Sequence, residues 1–209
     1  MNDKRILIAG VAATAIVLVG GWLWLNRGPG DGGDRFASCR TAVVAGGAGA
    51  LGGPIEMTDE TGARVTNEDL FTKPSLVYFG FTYCPDVCPL DNARNAEALD
   101  LLDEDGIDAQ AIMVSVDPKR DTPEVLADYT FNMHEKMIGI TGTPEEIDSM
   151  AKLWKAYYAV HDDGSDDYPV DHSTNTYLVL PDYGTVEFFR RDLTPAQLAE
   201  RVACFVDAS

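Results

Sequence analysis

Two cysteines four residues apart, in Cys84-Pro85-Asp86-Val87-Cys88-Pro89, offer the clearest chemistry in this chain of 209 residues. They follow an apolar run, Ser75 to Phe81, and precede a helical stretch, Leu90 to Leu102. If the turn between them is helical, both side chains lie on one face with Cβ atoms about 5–6 Å apart. Both sulfurs can then reach one metal ion or, with modest adjustment, each other. A helix N-terminus favours thiolate through its unpaired N–H groups and its dipole. Thiolate is the species that attacks disulfides and ligates metals. Pro85 and Pro89 both suit a first helical position, so the regular helix can begin at either. Cysteine is often an inert core residue, but a proline-flanked pair at a strand-to-helix junction fits a reactive role better. Two thiolates suit Cu(I), Zn(II) or an iron–sulfur centre, and they equally suit a redox dithiol.

A third ligand would separate these readings, and three histidines are present. His134 ends an amphipathic helix, where an exposed C-terminal position is expected. His161 lies in the acidic loop His161 to Asp171. His172 sits just before the strand Tyr177 to Leu180, in Val170-Asp171-His172-Ser173. On spacing alone His172 is a weak candidate, because a lone histidine is more often structural or solvated. Two further readings of the dithiol differ in class. A thiol–disulfide oxidoreductase would usually have two residues between its cysteines, whereas three stand here. A thioredoxin-like peroxidase would usually carry Thr or Ser three residues before the reactive cysteine, and here that residue is Phe81.

The elements around these residues set the fold class. Ser75 to Phe81 and Gln110 to Val116 read as buried strands. Ile55 to Asp59 and Ala63 to Thr66 read as a small hairpin. Thr122-Pro123-Glu124 opens a helix with a cap and Pro at the first position. Thr143-Pro144-Glu145-Glu146 and Thr194-Pro195-Ala196-Gln197 each open one with a capping box. Tyr177 to Leu180 and Val186 to Phe189 flank a turn at Pro181 to Gly184. After the hairpin the order is strand, helix, strand, helix, helix, strand, strand, helix. A parallel start and an antiparallel end predict an α/β, thioredoxin-like mixed sheet with flanking helices. Gly47 to Gly52 formally matches a dinucleotide-binding fingerprint. Gly53-Pro54 breaks the chain at once, so the opening helix that this motif needs is missing.

Ahead of this fold, Ile6 to Leu25 is an uncharged run of 20 residues, about 30 Å as a helix, enough to span a membrane. Lys4 and Arg5 precede it, and Trp22 and Trp24 stand at its far end, where an aromatic belt belongs. The run exceeds the apolar core of a cleaved signal peptide and lacks a clean cleavage site. The expectation is a cytoplasmic stub and signal anchor over 1–27, a linker and extension over 28–50, and an exported domain over 51–209. The positive-inside rule puts that domain outside the cytoplasm, on the periplasmic side of a bacterial inner membrane.

Hydrophobic residues at 45% and charged residues at 24% exclude wholesale disorder. The net charge of −18 excludes the basic footprint of common nucleic-acid binding. Residues 28–209 carry 13 basic against 33 acidic groups, a net of −20, so the exported part is the more acidic. Four cysteines are too few for a disulfide scaffold. Free thiols tend not to persist in an oxidising compartment. If Cys84 and Cys88 form the functional pair, Cys39 can bond only Cys204 within the chain.

Taken together, Cys-Pro-Asp-Val-Cys-Pro, the run Val116 to Glu124 (VDPKRDTPE), Asp171-His172-Ser173 and Gly52-Gly53-Pro54 resemble the SCO/SenC family of cytochrome oxidase assembly proteins. The resemblance spans roughly residues 51–206. It implies a membrane-anchored thioredoxin-like domain that binds one copper ion, with Cys84 and Cys88 as thiolate ligands and His172 as the distal imidazole. It further implies a metallochaperone that assists assembly of the binuclear copper centre of cytochrome c oxidase subunit II. The same sulfurs could act there as copper donor, as thiol reductant of that site, or both. Another periplasmic copper chaperone is an implied second partner. Two thiolates and one imidazole suit Cu(I), and Cu(II) if an oxygen ligand joins. Asp86 and Asp171 stand near as candidate tuning groups, although carboxylates so placed are more often merely solvated. Asp117 and Asp121 belong to the family motif and are expected to fix the loop beside the site.

Overall fold

The computed structural model describes residues 34–40 and 50–209. The span expected at 6–25 and most of the linker and extension expected at 28–50 lie outside the described residues. No helix among the described residues is long and apolar enough to cross a membrane. Residues up to Ala37 form one unit, in which Phe36 N–H donates to Asp34 Oδ1 at 3.1 Å. Ser38–Ser209 form a second unit, to which everything below refers.

The centre of that unit is a pair of strands, β3 (Ser75–Gly80) and β4 (Gln110–Ser115), buried at every position. Continuous burial is what parallel strands covered on both faces require, and it explains the unbroken apolar runs. They belong to a seven-stranded sheet with β1 (Glu56–Asp59), β2 (Arg64–Thr66), β5 (Met137–Thr141), β8 (Thr176–Leu180) and β9 (Gly184–Phe189). The order is β2-β1-β5-β4-β3-β8-β9. Strands β3, β4 and β5 run parallel; β8, β9, β1 and β2 add antiparallel pairs at the two sides. This is the mixed sheet expected from the sequence.

The sequence order lacked β5, which follows a helix after only three residues and carries Gly139 at its centre. A Cβ there would sit 2.8 Å from Leu126 Cβ and 3.2 Å from Glu60 Oε2, so the glycine permits close packing. Glu60 Oε2 accepts from Gly139 N–H at 2.6 Å and from Thr130 Oγ1 at 2.7 Å, pinning this strand to its neighbours.

Helices cover both faces. After a one-turn helix, α1 (Asn67–Leu70), come α2 (Val87–Glu104), α3 (Pro123–Met133), α4 (Pro144–Trp154) and α5 (Pro195–Asp207). The capping signals act as expected. Thr122 Oγ1 accepts from Val125 N–H at 3.4 Å, and the Thr143/Glu146 and Thr194/Gln197 boxes both close. On one face Trp154 of α4 packs on Phe79 at 5.9 Å and on Tyr177 at 5.3 Å between ring centroids. Alternate strand residues point to the opposite face, where Phe189 meets Phe205 of α5 at 6.4 Å.

Cys39 and Cys204 form a disulfide with Cα atoms 5.7 Å apart, closing a separation of 165 residues. It ties the start of this unit, at Cys39, to the last helix, the pairing expected from the sequence. A separate two-stranded hairpin, β6 (Tyr158–Val160) with β7 (Val170–His172), was also unexpected: its sequence reads as an acidic loop.

Candidate metal centre

The C-terminal ends of parallel strands are the usual place for ligand sites in such sheets, and the cysteine pair stands just beyond the end of β3. Helix α2 begins at Val87, with Asp86 at the N-cap. Neither proline therefore occupies the first helical position. Pro89 falls at the third position of the first turn, where a missing N–H leaves no intrahelical bond broken. Cys88 sits one residue inside the helix. Its N–H donates to Cys84 Sγ at 3.3 Å, so the first sulfur caps the helix that carries the second. Both cysteines are free thiols and buried, Cys84 at 8% exposure and Cys88 at 0%. Burial pushes the Cys88 thiol well above its ordinary range, against a smaller pull from the Phe81 backbone.

Strand β7 brings His172 to this pair. Its Nε2 lies 3.2 Å from Cys88 Sγ and 3.9 Å from Cys84 Sγ. The three donor atoms all lie within 4.8 Å of one another. The other ring nitrogen, Nδ1, stands 3.0 Å from the Ser173 carbonyl oxygen. A carbonyl only accepts, so Nδ1 carries a proton, and in the neutral imidazole Nε2 turns its lone pair to the sulfurs. That is the tautomer a metal ligand needs, with an outer partner fixing the ring as ligating histidines usually have. Tyr78 and Phe81 pack edge-on against the imidazole, with centroids 6.0 and 5.8 Å away and rings at 85° and 88°. Gly80 leaves room for the site: a Cβ there would fall 2.9 Å from Cys88 Sγ.

With this geometry the relatives can be weighed. A family model described as SCO1/SenC matches residues 44–207. The chain belongs to the SCO1/SenC family. It is 51% identical to the protein SenC of Rhodobacter capsulatus, over 100% of this chain and 93% of that protein. A solved structure, Arabidopsis thaliana ScoI with copper bound, is 38% identical; it covers 76% of this chain and 99% of its own, with a TM-score of 0.72. The structure of BsSco, from work on a disulfide switch in that member of the Sco family of cytochrome c oxidase assembly proteins, is 26% identical. It covers 76% of this chain and 93% of its own, with a TM-score of 0.62. The mixed α/β, thioredoxin-like fold is that of the Sco proteins.

The other residues singled out in this SCO1/SenC chain divide into supports and bystanders. Asp121 is fully buried and accepts from Ser115 Oγ at 2.6 Å, Thr82 Oγ1 at 2.6 Å and Thr82 N–H at 3.1 Å. Burial pushes its carboxyl up, opposed by those donors. It thus holds the loop between β3 and Cys84, the role expected of it. Asp117 Oδ1 accepts from the Tyr168 hydroxyl at 2.6 Å, and Asp117 pairs with Arg120. Asp171 points away to His161 Nε2 at 2.8 Å, and Asp86 is exposed at the helix start. His134 is half-buried rather than exposed, with Asp100 Oδ1 3.1 Å from its Nε2.

Beneath the site, Tyr78 Oη donates to Asp91 Oδ2 at 2.9 Å, and Arg191 Nε donates to Asp91 Oδ1 at 3.3 Å. Burial and the neighbouring Cys88 and Asp91 hold the Tyr78 phenol far above its ordinary range, so it stays a donor. Sequence reasoning missed Tyr78, Phe81, Arg120 and Tyr168 as parts of the site. Arg120 stood inside the quoted motif; the aromatic residues carried only their apolar pattern.

Proposed function

We propose that this chain binds one copper ion through Cys84, Cys88 and His172 and serves the assembly of cytochrome c oxidase. The observation that carries this reading is the convergence of two buried sulfurs and an imidazole Nε2 within 4.8 Å. Two soft sulfurs with one imidazole suit Cu(I) in a three-coordinate site, and Cu(II) when an oxygen ligand joins. The copper-bound Arabidopsis ScoI and the oxidase-assembly family of BsSco support it. Copper here is cargo. The chain's part is to bury the sulfurs, turn His172 Nε2 toward them and release a thiol proton when metal enters.

The finer reading is delivery to the binuclear copper centre of subunit II, with copper received from another periplasmic chaperone. The chain would be anchored in a bacterial inner membrane through residues 6–25, its C-terminal domain in the periplasm. The apolar run with its basic flank supports the anchor. The Cys39–Cys204 disulfide supports an oxidising compartment.

A second reading uses the same sulfurs as a thiol–disulfide reductant of that copper site. Two free thiols within 4.8 Å, and the disulfide switch of BsSco, favour it. Cu(I) titration of the full-length protein against a competing chelator tests the first reading, with disulfide exchange measured in parallel. One tight equivalent in wild type and sharp weakening in Cys84→Ala and His172→Ala are expected. Copper binding indifferent to His172→Ala, with exchange activity intact, gives the site to the reductant reading.

A further inference from the structure

We propose that Arg120 is the positioning residue that sets His172 over the two sulfurs, by clamping the loop that carries Cys84 to the hairpin that carries the histidine. The proposal rests on the copper reading. His172 lies on the β6–β7 hairpin, whose strands are three residues each and stand apart from the main sheet. A two-stranded hairpin is marginal in water, so its position must come from tertiary anchors.

Arg120 supplies one. Its guanidinium carbon lies 3.7 Å from the centroid of the Tyr168 ring, and its Nη1 donates to the Asp166 carbonyl at 3.1 Å, both on the connection between β6 and β7. Tyr168 is 2% exposed, and its hydroxyl donates to Asp117 Oδ1 at 2.6 Å. The same guanidinium lies 5.0 Å from the Tyr83 centroid and 5.5 Å from that of Phe81, the residues that lead into Cys84. Phe81 in turn packs on His172. One planar cation therefore faces both the segment that leads into Cys84 and the hairpin that carries His172.

The arrangement is a costly way to hold a fold. The Arg120 and Asp117 side chains are 10% and 2% exposed, and a buried ion pair seldom stabilises more than apolar residues of the same volume. Arg120 Nη2 is buried without a hydrogen-bond partner among the described residues. Stacking on Tyr168, the Asp117 pair and the Asp166 carbonyl together fix the guanidinium, with one donor left unpaired. What the pair supplies is geometry: a plane that stacks on rings while its edge bonds to carboxylate and carbonyl, which a lysine cannot reproduce.

The test is a double-mutant cycle on the full-length protein, read as Cu(I) affinity by chelator competition and as the sulfur-to-Cu(II) charge-transfer spectrum. Arg120→Ala should weaken Cu(I) by about 10–100-fold, the range of outer partners of metal ligands. It should shift the spectrum toward that of His172→Ala and add nothing further in the His172→Ala background. Tyr168→Phe keeps the ring and loses the Asp117 bond; it should give a smaller shift with the same non-additivity, and it decides the matter if Arg120→Ala does not fold. Wild-type affinity in the Arg120 variant, or a loss that adds in full to that of His172→Ala, overturns the proposal. Wild-type protein that takes up no copper overturns the copper reading itself, a result the wild-type arm reports separately.

Discussion

Two pairs of cysteines in this chain do opposite things with the same atom. Cys84 and Cys88 are four residues apart, joined by a helix start, and stay free with a histidine nitrogen within 3.9 Å of both sulfurs. Cys39 and Cys204 are 165 residues apart and bonded. Local backbone decides the first case: the N–H of Cys88 holds Cys84 Sγ in a helix-capping position, and Gly80 gives Cys88 Sγ its space. Tertiary structure decides the second, bringing two distant segments to a Cα separation of 5.7 Å. A pair held by its own turn keeps both sulfurs available to a third party; a pair held by the fold consumes them as a staple.

Substitutions separate the two roles. Cys88→Ser should abolish copper binding by more than about 100-fold, beyond the range of outer-partner changes, and leave the far disulfide formed. A chelator competition beside thiol mapping checks both. Replacing Cys39 and Cys204 together with Ser should cost about 2–5 kcal/mol of unfolding free energy, because the loop they close is long. Denaturant unfolding reads that loss, and copper affinity within twofold of wild type would show that the staple acts on stability alone.

Gly80→Ala attacks the free pair through space. Its Cβ would fall 2.9 Å from both Cys88 Sγ and Tyr78 Cε1. Overpacking of this kind costs about 1–3 kcal/mol, and copper affinity should fall with stability. An unchanged copper affinity would mean that the sulfur relocates freely.

Acid sharpens the contrast further. Burial raises the pKa of the Cys88 thiol, so at neutral pH the metal must displace its proton. Apparent Cu(I) affinity should therefore rise about tenfold, or 1.4 kcal/mol, per pH unit between pH 6 and 8 for that one proton. The disulfide pair has no proton to lose. A flat profile would mean that Cys88 is already thiolate.

Much of this was legible in the sequence, and the limits have physical causes. The cysteine pair, the caps of α3, α4 and α5, and strands β3 and β4 announce themselves through local signals: spacing, Thr-Pro helix starts with capping boxes at α4 and α5, and unbroken apolar runs. Strand β5 is five residues with a glycine at its centre, and its need for that glycine comes from Leu126 on a different element. The β6–β7 hairpin reads as an acidic loop, because its anchor is not in its own pattern but in Tyr168 meeting Asp117 and Arg120. His172 was weak on spacing alone. Its standing rests on Ser173, Tyr78 and Phe81, which fix its tautomer and its plane only once the chain is folded.

X-ray absorption at the copper edge of the full-length Cu(I) protein examines the three proposed ligands at the metal itself. A first shell of two sulfurs and one nitrogen, with the nitrogen lost in His172→Ala, is the expected result. A shell of sulfur alone, unchanged by that substitution, would contradict the centre described here.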